Sequence, residues 1–226
     1  MPEENLSPAN NGVIDINAQN AEANNQGELN QSLYSYQPRP NQKQIFGKSE
    51  LLDAGKILSE ILGLSTGKIV ANLGAGGGMF TLQSARLVGE QGQVYAVDIL
   101  KSALSDIDSK ARMAGLHNIK TVWSNLEIVG AAKINDGLAD FDLLINVLFQ
   151  SKKHHEILAE AARILKKGGK LLIIDWSNNN DSGLKPPSDM LVNPEKTIEN
   201  CSELGLALEQ QFRAGQYHFG MIFIKQ

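Results

Sequence analysis

Short apolar runs alternate with stretches of helical periodicity from residue 68 to residue 176. Runs that are apolar throughout are typical of strands buried on both faces, and the helical stretches between them are long enough for parallel crossovers. The pattern therefore predicts βαβ units and a parallel sheet with helices on both faces. The predicted strands are 68–73, 94–99, 119–124, 141–149 and 170–176, and the predicted helices are 79–88, 101–114 and 152–166, the last stopped by Gly168-Gly169.

The C-terminal part of the chain predicts a strand that runs against this sheet. A helix opened by Asn193-Pro194 and closed at Gly205 precedes two strand-like runs, 207–212 and 217–225. Only the link from Arg213 to Gln216 separates them, and a parallel crossover needs a dozen residues or more. We therefore expect a doubly wound α/β sheet, mostly parallel, with one antiparallel strand near the C-terminus.

The N-terminal region differs in composition from the rest of the chain. Residues 1–43 are rich in Asn and Gln and lack a sustained apolar period, which favours a disordered tail. A segment that folds on a partner is the alternative. Helical spacing begins after Ser49, which can cap a helix that Gly63 ends, so we assign residues 44–226 to one folded domain.

Composition excludes several classes of function. The formal net charge is -4, so there is no broad basic surface for nucleic acid. Cys201 is the single cysteine, which rules out an intramolecular disulfide and thiolate-rich metal sites and fits a reducing cytoplasm. No run approaches the roughly 20 apolar residues of a membrane helix. We expect a cytoplasmic protein with no metal and no membrane partner.

A glycine-rich segment, Asn72 to Thr81, lies between the first predicted strand and the next helix. Glycines there let the backbone approach a ligand and present N–H groups at a helix start. A dinucleotide fingerprint counted from Gly74 needs Gly or Ala where Met79 stands, and Gly67-Lys68 lacks the Ser or Thr of a P-loop. Neither dinucleotide binding nor nucleotide hydrolysis is favoured.

The spacing G-x-G-x-G is followed, twenty residues past Gly78, by Asp98 at the end of VYAVD. An acid at that position can accept hydrogen bonds from both hydroxyls of a ribose. Together the segments GAGGG, VGEQGQVYAVD, FDLLINVLF and LKKGGKLLIIDW resemble successive segments of the class I S-adenosylmethionine-dependent methyltransferases over residues 50–225. The resemblance implies a Rossmann-like fold, S-adenosylmethionine as cofactor and methyl transfer.

The resemblance also implies a set of cofactor contacts. The glycines would pass beneath the methionine and ribose, Asp98 would bind the ribose, and Asn125 would accept from the adenine amino group. Asn72 departs from the family, which usually has an acid there, so a weaker hold on the methionine ammonium is implied. The residues implied at the cofactor are Asn72, Gly74, Ala75, Gly76, Gly78, Asp98, Ile99, Asn125, Leu126, Asn146 and Val147.

The acceptor side is predicted from topology. Asp175 and Trp176 end a parallel strand, where open α/β sheets bind ligands, and Tyr217 and His218 open the antiparallel strand at the same end. His218 has a suitable pKa for a base, and Asp175 is expected to orient or assist it. A structural role for Tyr217 and His218 is the alternative. Phe149 and Gln150 complete the expected acceptor pocket, since the resemblance sets them near the transferred methyl.

We expect a small-molecule acceptor, because about fifty residues after the fifth strand build only a modest pocket. RNA or protein methylation is the rival enzymatic hypothesis, since VGEQGQVYAVD also resembles RNA- and protein-modifying relatives. An arsenite-type thiol relay is disfavoured, because Cys201 stands alone. A non-catalytic cofactor-binding or scaffolding module, with Asn72 marking lost activity, is the hypothesis from another class.

Overall fold

The computed structural model describes residues 52–177 and 186–226, so the predicted tail at 1–43 lies outside the described residues. One seven-stranded sheet has the order β3-β2-β1-β4-β5-β7-β6. Strand β7 pairs antiparallel with both of its neighbours, and every other pair is parallel. The predicted sheet, with one strand against the rest, is confirmed. The strands are β1 Ile69–Leu73, β2 Gln93–Asp98, β3 Ile119–Trp123, β4 Ala139–Ile145, β5 Leu165–Trp176, β6 Leu206–Ala214 and β7 His218–Lys225.

Helices cover both faces of the sheet. On β1, Val70 packs in one apolar cluster with Phe80 and Val88, while Ala71 packs in another with Leu158. Neighbouring strand residues point to opposite faces, so these clusters are the two sides of one core. None of the helices in the described residues is long and apolar enough to span a bilayer. The helices are α1 Ala54–Lys56, continued as one π-type turn Ile57–Ile61, then α2 Met79–Val88, α3 Lys101–Met113, α4 His154–Ile164 and α5 Pro194–Glu203.

The ends of two helices follow from local capping. The carboxylate of Asp53 accepts a hydrogen bond from the Lys56 amide at 3.0 Å and caps α1. The predicted cap, Ser49, lies outside the described residues. Asn193 caps α5 by accepting from the Lys196 amide at 2.8 Å, with Pro194 as the first helical residue, as predicted.

The predicted role of Gly168-Gly169 as a helix stop is wrong. Helix α4 already ends at Ile164, and β5 begins at Leu165, which pairs with Ala139. The register then shifts before Phe141 pairs with Lys170, so the glycines lie in an irregularity of the strand, where Gly168 has a φ of 75°. The left-handed glycine is required by the bulge and not by a helix terminus.

The other differences lie at strand ends near the site. Strand β4 stops at Ile145, and a turn leads into a short 3₁₀ helix at Leu148–Gln150, where a continuous strand to 149 is predicted. The β6–β7 link is Gly215 to Tyr217, so Tyr217 belongs to the turn and not to the strand. Because Trp176 pairs with His218, β7 does begin at the carboxyl end of β5, as predicted.

Candidate functional site

The glycine loop between β1 and α2 is packed at its two ends and open in the middle. A Cβ on Gly74 would lie 2.5 Å from Val147 Cγ2, and one on Gly78 would lie 2.7 Å from Ile107 Cγ1, so neither position accepts a side chain. Both have φ near 80°. A Cβ on Gly76 would meet no atom within 4 Å. The loop therefore presents its backbone to open space at Gly76.

Asp98 at the end of β2 holds this loop and remains beside its open face. Its Oδ2 accepts from the Gly76 amide at 2.8 Å, and its Oδ1 accepts from the Leu100 amide at 2.8 Å. The Gly74 and Ala75 amides both donate to the Val97 carbonyl, at 2.8 and 2.9 Å. A carboxylate has about four acceptor positions. Asp98 thus fixes the loop and keeps acceptor capacity for a ligand.

A tryptophan that the sequence did not single out borders the residues after β2. Trp123 ends β3 with a side chain that is 61% exposed, and its indole N–H donates to the Ile99 carbonyl at 2.8 Å. The ammonium of Lys101 lies 4.4 Å from its ring centroid. The ring therefore braces Ile99, one of the residues implied at the adenine.

The residues after β3 form a local turn. Asn125 Oδ1 accepts from the Glu127 amide at 2.9 Å, and Leu126 is buried beside it. This Asx-type bond fixes the Asn125 side chain. An amide oxygen has two lone pairs, so Asn125 keeps one acceptor position for a ligand donor.

Asn146 follows β4 in a left-handed conformation, with φ of 56°. Its amide donates to the Ile174 carbonyl at 2.8 Å, and its carbonyl accepts from Gln150 Nε2 at 2.6 Å. Its Oδ1 is buried and has no hydrogen-bond partner among the described residues. A buried amide oxygen without a partner is an acceptor available to a ligand donor or to water.

Asn72 lies behind the glycine loop and not on its surface. The side chain is 2% exposed, and Nδ2 donates to Thr81 Oγ1 on α2 at 2.8 Å. Its Oδ1 also lacks a partner within the described part of the chain. Asn72 therefore joins β1 to α2.

Three aromatic rings meet where the sequence predicts the acceptor pocket. The Trp176 ring lies 4.3 Å from the His218 ring at a tilt of 34°, and Phe149 meets Trp176 edge-on with centroids 6.4 Å apart. Trp176 Nε1 and His218 Nε2 are buried without hydrogen-bond partners among the described residues. Burial lowers the pKa of His218 to about 4, so its imidazole is neutral at neutral pH. Tyr217 is buried in the adjoining turn.

The structure does not bring Asp175 to His218. Asp175 is the register partner of Phe219, while His218 is the partner of Trp176. Because side chains alternate along a strand, Asp175 and His218 point to opposite faces of the sheet. Asp175 accepts instead from the Trp176 amide at 2.9 Å and the Phe149 amide at 3.3 Å. The expectation that Asp175 orients His218 has no geometric support.

The Asp175 carboxyl is fully buried. Its removal from water raises its pKa to about 7, with the backbone hydrogen bonds to Trp176, Phe149 and Leu148 acting in the opposite direction. The two oxygens of Asp175 are taken up by main-chain amides of β5 and of the turn after β4, so the carboxyl serves the main chain and not the open part of the site.

Comparison with known proteins relates this site to one family. The profile of the methyltransferase domain family matches residues 64–216. A ubiquinone/menaquinone biosynthesis C-methyltransferase, UbiE, of Marinomonas sp. (strain MWYL1) is 32% identical over 130 residues, which are 57% of this chain and 48% of that protein. The UbiE of Yersinia pestis bv. Antiqua is 34% identical over 116 residues, which are 51% of this chain and 45% of that protein. The chain thus spans about half the length of these curated relatives.

Solved structures have the same fold. A SAM-dependent methyltransferase from Aquifex aeolicus superposes with a TM-score of 0.70 at 26% identity, covering 78% of this chain and 92% of that one. The [4+2]-cyclase SpnF superposes with a TM-score of 0.64 at 14% identity, covering 76% and 79%, which is a likeness of fold alone. The glycine loop, Asp98 and the turn after β4 all lie within the matched residues. The chain belongs to the methyltransferase domain family.

Proposed function

We propose that this protein transfers the methyl group of S-adenosylmethionine to a small-molecule acceptor. The observation that carries the proposal is the open backbone at Gly76 directly beside the Asp98 carboxylate, at the carboxyl ends of β1 and β2. Ligands of open α/β sheets bind at these strand ends. Asp98 keeps acceptor capacity for ribose hydroxyls, and the unpartnered Asn146 Oδ1 offers an acceptor to the donors of the methionine part. The residues present therefore fit this cofactor.

The resemblance to the class I S-adenosylmethionine-dependent methyltransferases implies the individual roles, and the contacts described above support them. Asp98 would hold the ribose, and the backbone from Gly74 through Ala75 and Gly76 to Gly78 would lie along the methionine and ribose. Ile99, Leu126 and Asn125 would border the adenine, and Asn146 with Val147 the methionine. Asn72 would act from behind the loop. The bound cofactor supplies a methyl group that is already activated on sulfur, so the chain's task is orientation, which contributes up to roughly 7–11 kcal/mol.

The acceptor would lie against Phe149, Gln150, Trp176 and Tyr217, with His218 as its polar contact. A histidine whose pKa is lowered to about 4 is unprotonated at neutral pH, so Nε2 is free to take part in a hydrogen bond with an acceptor hydroxyl or amine. The same low pKa makes it a weak base. We therefore assign His218 to holding the acceptor, with proton removal as a secondary role.

A small molecule is favoured over a macromolecule by two observations. The relatives are named as C-methyltransferases of ubiquinone and menaquinone biosynthesis, whose products are small molecules. The chain has a formal net charge of -4, which does not favour RNA. The single cysteine, Cys201, is a buried free thiol, and a reducing cytoplasm is the compartment we propose.

The proposal is tested first by binding. Isothermal titration with S-adenosylmethionine and with S-adenosylhomocysteine should give saturable binding to the parent protein, and Asp98→Ala should remove it. Asp136→Ala is the matched control, because Asp136 is an exposed aspartate that pairs with Arg163 and lies before the start of β4, at the opposite end of the sheet. Equal binding by the parent and Asp98→Ala would contradict the assignment. Turnover on a panel of phenols, amines, thiols and RNA then identifies the acceptor.

A non-catalytic cofactor-binding module is the second candidate, and Asn72 is the observation that favours it. The family usually has an acid at this position, and Asn72 provides no charge for the methionine ammonium. Saturable cofactor binding with no turnover on any acceptor class, including RNA and protein extracts, would support this candidate over the enzyme.

A further inference from the structure

The turn after β4, residues 146–150, is bonded to β5 near both of its ends. The Asn146 amide donates to the Ile174 carbonyl at 2.8 Å. The Phe149 amide donates to Asp175 Oδ2 at 3.3 Å, and the Leu148 amide bonds to the same carboxyl. Two successive residues of β5 thus hold the turn, Ile174 through its main chain and Asp175 through its side chain.

The conformation of Asn146 explains why the turn needs these bonds. The left-handed region costs an L residue roughly 1–2 kcal/mol, somewhat less for Asn, and such residues persist where the surroundings fix them. With φ of 56°, Asn146 depends on the bonds on either side of it, including the one from Gln150 Nε2 to its carbonyl. Loss of the Asp175 bonds would leave the second half of the turn without a hydrogen bond to β5, held there only by side-chain packing such as that of Phe149 on Trp176.

Val147 connects the turn to the glycine loop. The Val147 side chain fills the space beside Gly74 so closely that a Cβ there would lie 2.5 Å from Cγ2. A displacement of the turn is therefore passed to Gly74, and from there toward Gly76 two residues later. The cofactor face of the loop is set on one side by Asp98 and on the other by Val147.

We propose that Asp175 is a positioning residue for the cofactor: its carboxyl fixes the turn 146–150, and the turn, through Val147, fixes the glycine loop in the shape that receives S-adenosylmethionine. Asp175 is 0% exposed, so it acts through the turn and not by contact with the ligand. The inference rests on the proposed function for the identity of the cofactor. The hold on the turn itself is independent of any ligand.

Asp142 on β4 provides a matched control. It is also 0% exposed, and burial raises the pKa of its carboxyl as well. Asp142 pairs with Leu171 of β5, so these two side chains face the same side of the sheet. Leu171 lies an even number of residues before Asp175 on the same strand, so the Asp175 carboxyl faces that side as well. Neither oxygen of Asp142 has a hydrogen-bond partner among the described residues. The Asp→Asn change is isosteric at both positions, but only at Asp175 does it replace an oxygen that accepts from a main-chain amide by an NH2 group, which cannot accept.

The experiment compares Asp175→Asn, Asp142→Asn and the parent protein at pH 8 by two measurements. Hydrogen exchange of the free proteins, read on peptides covering 146–150, should speed up at least tenfold in Asp175→Asn and stay at the parent rate in Asp142→Asn. Titration with S-adenosylhomocysteine should give a Kd about tenfold higher in Asp175→Asn, a loss of about 1.4 kcal/mol, and an unchanged Kd in Asp142→Asn.

Two outcomes would overturn the proposal. Parent-like exchange and affinity in Asp175→Asn would mean that the carboxyl does not hold the turn. Equal loss of affinity in both variants would mean that any buried carboxyl on this face matters, and the effect would be one of core stability. Failure of the parent protein to bind would overturn the proposed function and the link to a cofactor, while the exchange rates still test the hold on the turn.

Discussion

His218 is expected to make stability depend on pH in a way that His218→Gln removes. Burial lowers the pKa of this imidazole from 6.5 to about 4 in the folded protein. Between these values the unfolded chain binds a proton at His218 and the folded protein does not, so folding stability falls as the pH falls. The contribution of His218 is present above pH 6.5 and is lost as the pH drops toward 4.

The size of the effect on stability follows from the difference between the pKa of His218 in the unfolded and in the folded protein. This difference of about 2.5 corresponds to roughly 3 kcal/mol of folding free energy between pH 6.5 and pH 4, at about 1.36 kcal/mol per pKa unit. Between pH 7 and pH 5 roughly 2 kcal/mol of this is lost in the parent protein. Asp175 contributes a pH dependence of opposite sign, because the pKa of that carboxyl is raised to about 7, so stability from this group falls as the pH rises. Both proteins contain Asp175, and its effect cancels in their difference.

Urea unfolding followed by circular dichroism at pH 7 and pH 5 measures the difference in free energy of unfolding between parent and His218→Gln. This difference should shrink by about 2 kcal/mol at pH 5, because only the parent loses the histidine contribution. His155→Gln, at an exposed histidine of α4, controls for the loss of an imidazole. A difference that stays within about 0.5 kcal/mol at the two pH values would show that water reaches His218 in the folded protein, and the low pKa would be refuted.

The remaining predictions concern the ligand side of the fold. Asp98→Ala and Gly76→Val should each abolish titratable binding of S-adenosylhomocysteine while the circular dichroism spectrum stays native. Parent-like affinity in either variant would show that the cofactor does not bind at the glycine loop. Asn72→Asp should lower the melting temperature at pH 8, because it buries a charge and removes the donor to Thr81. The same variant should bind S-adenosylmethionine more tightly, and an unchanged affinity would show that residue 72 does not interact with the methionine ammonium. His218→Ala should slow methyl transfer once an acceptor is known while changing cofactor Kd by less than about threefold, below ~1 kcal/mol, and normal turnover would make His218 structural.

Features encoded by neighbouring residues were predictable from the sequence. The bounds of α2, Met79–Val88, match the prediction, since a glycine loop before it and Gly89 after it set both ends locally. The position of Asp98 at the end of β2 was predicted to within one residue, because the apolar run that forms the strand lies directly before it. The direction of β7 followed from a link too short for a crossover.

Features that depend on distant partners were not predictable in the same way. Gly168-Gly169 has the local chemistry of a helix end, and only the pairing of β5 with β4 makes it a bulge. Trp123 stands in the sequence as an ordinary strand aromatic, and its bond to the Ile99 carbonyl depends on β3 lying beside β2. In both cases a tertiary contact decides between two structures that the local sequence allows equally.

The separation of Asp175 from His218 also depends on a tertiary contact, the register in which β5 pairs with β7. Both residues lie at the ligand end of adjacent strands, as their order in the chain implies, and a pairing of Asp175 with His218 would have set their side chains on one face. The observed register pairs Asp175 with Phe219 instead, and a shift of one residue turns every side chain of the strand to the other face. The acid is thereby directed to the turn after β4 and the histidine to Trp176. One position of strand register therefore sets Asp175 against the turn after β4 and leaves His218 beside Trp176 without a carboxylate partner.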